Sequence, residues 1–270
     1  MPTRATHQLR AIDCKTGFTN SPGSVLWRQG DTLVLCTAAV EKKRPKFYTD
    51  DIPGGWVSAE YVMHPASVSG RKDWPGERID KRGVEISRLI ARCLRVAIDL
   101  KKIGPHTITI DCTVLQADGG TRTASICGGW VALALALKTL PDDMPGTPYT
   151  KRQLKGGYDS ESHSPDPVPA LDPRLYDPAG ALVNQVAAVS VGIVDGTPTL
   201  DLDYRLDSRA EVDLNVIRTA RGKYVELQGT AEGDGDGFAP DELATMLKLA
   251  NTGIDELLEV QRGAVGAVGG

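Results

Sequence analysis

The stretch "HTITIDCTVLQADGGTRTASICGGWVALALALKTL" (106–140) decides the fold. Its first ten residues alternate threonine or acid with isoleucine, valine or cysteine, the period-2 pattern of a strand. Residues 123–139 form an apolar run that reads as a mostly buried helix. The pair Gly128-Gly129 costs helix propensity there and points to close packing. Between strand and helix lies "QADGGTRTAS" (116–125). The first N–H groups of a helix have no internal partner, and the helix dipole leaves partial positive charge beside them. Glycines let an anion approach such a backbone closely. Thr121 and Thr123 add hydroxyls, and Arg122 adds a guanidinium fork suited to phosphate. The stretch is therefore a candidate phosphate cradle. The stretch is neither a Walker loop, since GxxxxGK[ST] is absent, nor a dinucleotide fingerprint. A plain strand–turn–helix capped by Thr121 or Thr123 accounts for the same residues equally well.

Upstream, "GSVLWRQGDTLVLCTAAV" (23–40) is rich in β-formers and broken by "RQGD", which predicts a hairpin, and "GGWVSAEYVM" (54–63) reads as a further strand. From Arg82, apolar residues at Val84, Ile86, Leu89, Ile90, Cys93, Leu94, Ala97 and Ile98 follow a helical period, with Gly104-Pro105 as the stop. Arg82, at the start of that helix, is positioned to add a second cation to an anion site, although a solvated basic helix start is the plainer reading.

Downstream, residues 141–180 hold eight of the 17 prolines and read as an irregular insertion. Two hairpins follow, "VAAVSVGIV" with "TLDLDY" around "DGTP", and "AEVDLNVIRT" with "KYVELQGT" around "ARG". "PDELATMLKLANTGIDELLEVQR" (240–262) has helical spacing with proline at its start, and 263–270 reads as a frayed tail. The order predicts one domain over 1–262.

"LDLDYRLDSRAEVD" (200–213) carries clustered acids. Read as a strand, it puts Asp201 and Asp203 on one face, with Asp207 just beyond. Such carboxylates can hold Mg²⁺ through oxygen ligands or act as a general acid, whereas a solvated acidic face is the plainer reading. The loops "KKRPKFY" (42–48) and "GRKDWPGERIDKR" (70–82) offer a local basic path for RNA, with Lys46, Arg71, Lys72 and Arg78 as candidate contacts and Phe47 or Tyr48 as a stacking surface, although plain solvated loops are the commoner reading of such runs.

Composition narrows the field. Hydrophobic residues make up 41% and charged residues 24% of 270, as in a globular protein with a sizeable core. A net charge of −4 excludes a chain-wide basic coat. Five scattered cysteines without a CxxC pair predict reduced thiols and a cytoplasmic protein. Four dispersed histidines give no zinc spacing, and no apolar run reaches spanning length.

Taken in order, "LRAIDCKTGFTNSPGSVL", "TLVLCTAAVE", "GWVSAEYVM", "RGVEISRLIARCLRVAIDL", the 108–137 segment, "VAAVSVGIVDGTPTLDLDY", "DSRAEVDLNVI" and "VELQGTAEG" resemble the ribonuclease PH family of phosphorolytic 3′-exoribonucleases over nearly the whole chain. The resemblance implies an α+β fold of mixed sheets packed with helices. It implies an enzyme that uses inorganic phosphate to release nucleoside diphosphates from RNA 3′ ends, transfer RNA precursors among them. Phosphate would lie on Gly120, Thr121, Arg122 and Arg82. Two aspartates six apart, taken as Asp201 and Asp207, would supply catalysis and hold Mg²⁺. A homohexameric ring, a trimer of dimers, is also implied. The segment 64–83 departs from the arginine run of bacterial members and is closer to archaeal exosome ring subunits. A general RNA-trimming subunit, a non-catalytic RNA-binding ring subunit and a diphosphate-driven polymerase are the alternatives.

Overall fold

The structure, a computed structural model, describes residues 4–48, 53–71, 80–140, 171–175, 177–178, 180–232 and 237–268. Most of the proline-rich insertion and the candidate RNA contacts Lys72 and Arg78 lie outside the described residues.

The first half builds a five-stranded mixed sheet from β1 (Ile12–Thr16), β2 (Gly23–Gln29), β3 (Thr32–Glu41), β4 (Trp56–Met63) and β5 (Thr107–Gln116), in the order β1-β2-β3-β5-β4. β2 and β3 are the predicted hairpin. β4 and β5 are parallel, joined across α1 (Lys81–Arg95). The second half builds an antiparallel sheet from β6 (Val186–Val194), β7 (Thr197–Leu200), β8 (Val212–Thr219) and β9 (Tyr224–Ala231), ordered β7-β6-β8-β9.

Helix α2 (Thr121–Leu137) joins the halves, packing on β2, β3 and β5 of the first sheet and on β6 of the second. Every residue from Thr123 to Leu137 is buried, as an all-round apolar helix requires. Its glycines allow the approach: a Cβ on Gly128 would sit 2.9 Å from both Cys36 Sγ and Trp27 Cβ. The final helix, α4 (Pro240–Gly266), covers β6 and β7 and also touches α2. The architecture is α+β, as the sequence predicts. Among the described residues no helix is long and apolar enough to cross a membrane.

Four local expectations need correction. α1 ends at Arg95, not near Gly104. The Ala97 carbonyl beyond it accepts from Val183 and Asn184 N–H, and Ile98 bridges Leu182, so tertiary partners replace the last helical turn. α2 is capped by Gly120 rather than by Thr121 or Thr123. The supposed tail is helical through Gly266, with Val265 buried and its carbonyl taken by Lys138 Nζ at 2.9 Å. Finally, β7 stops at Leu200, so Asp201 and Asp203 do not share a strand face. Asp201 turns the chain at φ +56°, a left-handed conformation that aspartate tolerates. Asp203 then caps the short helix α3 (Tyr204–Asp207) by accepting from Leu206 N–H at 3.0 Å.

Candidate active site

A cleft of about 300 Å³ opens where the N-terminus of α2 meets α3 and β8. Arg82, Gly120, Thr121, Arg122, Asp207 and Asp213 line it. A polar lobe continues from it past Gln228, Thr230 and Glu232.

The anion side comes from the first half. Gly119 and Gly120 make the turn at φ +73° and +66°, which side-chain-bearing residues rarely adopt. No side chain caps α2, whereas α1 is capped by Asp80, which accepts from Gly83 N–H at 3.0 Å. The leading amides of α2 are thus left without a side-chain acceptor and are suited to an anion. The Thr123 hydroxyl turns away, donating to Gly120 O at 2.9 Å. Thr121 is the threonine that lines the cleft, its hydroxyl 2.9 Å from that of Tyr61. Arg122 Nη1 donates to Gln228 Oε1 at 2.7 Å, and Gln228 Nε2 donates to Glu85 Oε1 at 3.3 Å. Arg82, in the first turn of α1, completes a pair of guanidinium groups on the cleft.

The carboxylate side comes from the second half. Asp207 ends α3, and Asp213 follows on β8. On β8, Val212 and Leu214 point into the core, which turns Asp213 to the other face. Burial first, then the negative charge of Glu232, raises the Asp207 carboxyl above its ordinary range, against the pull of Arg82, Arg122 and Arg10. Burial, then the neighbouring Asp207, pushes Asp213 up to about 6. Asn215 Nδ2 reaches Asp213 Oδ2 at 3.5 Å.

Asp201 is not in this cleft. It is fully buried, and its carboxylate accepts from Arg10 N–H at 2.8 Å, Arg10 Nη2 at 2.7 Å and Gln29 Nε2 at 2.7 Å. Buried and held by these three donors, it does not line the cleft, whose carboxylates are Asp207 and Asp213 rather than the expected Asp201 and Asp207. Both pairs are six residues apart, and spacing alone does not choose between them. Asp213 was legible only as a polar residue in the alternating "AEVDLNVI" strand. The other expected phosphate ligands, Arg82, Gly120, Thr121 and Arg122, do come together. Lys46 and Arg71 are exposed and do not line the cleft. Phe47 is exposed beside Trp56, whereas the Tyr48 hydroxyl is tied to Gly55 O at 2.8 Å.

A two-sheet α+β fold with an uncapped helix terminus and two arginines facing paired carboxylates is an arrangement suited to phosphate esters. The chain belongs to the 3′ exoribonuclease family: profiles of its domain 1 and domain 2 match residues 8–138 and 184–253. It is 44% identical over 262 residues to a ribonuclease PH of Rhodopirellula baltica, covering 96% of this chain and 94% of that one. Similarity to a ribonuclease PH of Corynebacterium glutamicum is also 44%, over 266 residues, covering 97% and 95% of the two chains. Among solved structures, rice Rrp46 shares the fold at a TM-score of 0.66 and 15% identity, covering 97% of each chain. An Archaeoglobus fulgidus exosome with RNA bound to the active site shares it at 0.66 and 18%, covering 95% of this chain and 90% of that one.

Proposed function

We propose that this chain is a phosphate-dependent 3′-to-5′ exoribonuclease that releases nucleoside diphosphates from RNA 3′ ends. The observation that carries this is the meeting, in one cleft, of the uncapped α2 terminus and two arginines with a carboxylate pair. A phosphate dianion approaches another phosphate only when its charge is offset, which Arg82, Arg122 and the α2 amides do together. An oxygen of that phosphate attacks the terminal phosphodiester phosphorus. The bond to the preceding 3′-oxygen breaks, and the proton lost by the attacking hydrogen phosphate ends on that oxygen, which leaves as the new 3′-hydroxyl. The products are a nucleoside diphosphate and RNA one residue shorter. The reverse reaction elongates RNA from diphosphates at the same site.

Asp207 and Asp213 fit a magnesium ion. Among the described residues no three His, Cys, Asp or Glu side chains gather at metal-binding spacing, but Mg²⁺ takes one or two carboxylates and fills its shell with water and phosphate oxygens. Burial, with neighbouring negative charge, raises both carboxyls, and a divalent cation would offset that cost. When bound, Mg²⁺ would neutralise charge on the phosphoryl oxygens.

Transfer RNA precursors are the proposed substrates, in keeping with 44% identity to ribonuclease PH proteins against 18% to the exosome chain with RNA bound. A homohexameric ring, with Lys46 and Arg71 on the RNA path, belongs to the same reading. A non-catalytic ring subunit is disfavoured because the anion cradle and the carboxylate pair are both present. The decisive experiment incubates a short single-stranded RNA bearing a free 3′-hydroxyl with the protein and Mg²⁺, with and without phosphate. Nucleoside diphosphate released only with phosphate supports the reading. Nucleoside monophosphate without phosphate would make water the nucleophile and overturn it.

A further inference from the structure

We propose that Arg10 is a positioning residue for the attacking phosphate: it holds the carbonyls of the Asp118-Gly119 turn so that the following amides face the cleft. The proposal rests on the phosphate reading of that turn.

Arg10 lies just before β1, is only 8% exposed, and is not among the residues lining the cleft. One end is fixed by Asp201, which takes both its backbone N–H and its Nη2. The same guanidinium then reaches the back of the turn. Nη1 donates to Asp118 O, and Nη2 comes within 3.4 Å of Gly119 O. The Thr32 hydroxyl donates to Gly119 O at 2.6 Å, so both carbonyls of the turn are held from behind.

The peptide unit is planar and trans, so a carbonyl turned one way sends the next residue's N–H the other. Fixing Asp118 O and Gly119 O toward Arg10 and Thr32 therefore points the N–H groups of Gly119 and Gly120 away from them. Both glycines line the cleft. Two consecutive glycines sample either hand of backbone almost equally. An unheld turn would pay ordering entropy each time phosphate bound.

Asp201 has a second part in this. Its left-handed turn ends β7, and its carbonyl accepts from Arg4 Nη2 at 2.8 Å. The chain beyond it runs against Gly119, where an added Cβ would lie 2.5 Å from Leu202 O. Tyr204 N–H donates back to Asp118 Oδ1 at 3.2 Å. The Arg10–Asp201 pair thus sets the phosphate turn and the helix carrying Asp207 in one stroke.

The test compares steady-state phosphorolysis by the wild type, Arg10→Lys, Thr32→Val and Arg122→Ala, varying phosphate and RNA separately, with thermal melting of each. Lysine keeps the charge but lacks the fork. Valine keeps the shape and removes the hydroxyl, both the donor to Gly119 O and the acceptor of Asp118 N–H. Arg10→Lys is expected to raise the phosphate KM about tenfold, and Thr32→Val about threefold, as lost hydrogen bonds to a charged ligand's cradle would. The KM for RNA should stay within about twofold of wild type, because no RNA contact is touched. If Arg122→Ala raises the phosphate KM while both other variants melt lower but keep it unchanged, Arg10 is merely structural and the proposal fails. If Arg122→Ala also leaves it unchanged, the phosphate reading of the turn fails first. Should Arg10→Lys not fold, Thr32→Val alone decides.

Discussion

Arg122 Nη1 donates a 2.7 Å hydrogen bond to Gln228 Oε1, so the first turn of α2 is held by a strand 106 residues further along the chain. Arginine has five donors, and engaging one leaves the rest of the fork free but aimed. Gln228→Ala should therefore raise the phosphate KM about three- to tenfold with a smaller change in kcat, the signature of lost positioning. Initial rates over a phosphate series check it. An unchanged KM would mean Arg122 needs no support from β9.

The three aspartates should separate cleanly. Asp207→Asn and Asp213→Asn are expected to lower kcat by about a hundredfold or more while RNA still binds, because each removes charge at the reacting centre. Asp201→Asn should instead cost about 3 kcal/mol of stability, since it leaves the buried Arg10 without its counter-charge. Denaturant melts and single-turnover assays on the three variants distinguish these roles. A stable Asp201→Asn protein with abolished turnover would return Asp201 to the catalytic group.

Asp213 gives a pH prediction with a definite sign. Its carboxyl is raised from 3.8 to about 6 in the folded protein. Between those values the folded state keeps a proton that the unfolded state releases. Stability from this group is therefore present below the unfolded pKa and is lost as pH rises toward 6. The loss is about 3 kcal/mol at most for a shift near two units. Metal-free Asp213→Asn should accordingly melt higher than wild type at pH 7 and lose that advantage by pH 4. Added Mg²⁺ should raise the wild-type melting temperature at pH 7 and leave the variant nearly unmoved. Identical pH profiles would place Asp213 outside the charge cluster.

Tyr61 offers the mildest change. Burial raises its phenol above the ordinary range, and its hydroxyl meets that of Thr121 at 2.9 Å. Tyr61→Phe keeps the packing against α1 but leaves Thr121 free to rotate. A loss of about two- to fivefold in kcat/KM for phosphate, with melting nearly unchanged, is the expected outcome, in line with one neutral hydrogen bond. Rates equal to wild type would show that Thr121 is oriented by its backbone alone.

The parts legible in the sequence were those written by local period and turn chemistry. β5, the glycine turn and α2 follow from 35 consecutive residues whose alternation, φ-permissive glycines and apolar run each dictate one element. The cleft's arginine and glycine side was legible for the same reason, since Gly120, Thr121 and Arg122 sit next to each other. The carboxylate pair was not. In "LDLDYRLDSRAEVD" the alternation continues through Asp203, but the strand is cut at Asp201 by a partner, Arg10, that lies 191 residues away. Alternation carries no information about such a contact. It puts Asp213 on the cleft and buries Asp201. The last turn of α1 departs from the period for a related reason, because Ala97 O finds its donors at Val183 and Asn184.

The cleft draws Arg82, Gly120 and Arg122 from the first sheet's half and Asp207, Asp213 and Gln228 from the second. During synthesis the half with the anion cradle leaves the ribosome well before the half with the carboxylates. Until the second half emerges, the chain lacks not only the carboxylates but also the Asp201 that fixes Arg10 and the Gln228 that holds Arg122. The cleft is therefore completed only when the second sheet docks onto α2.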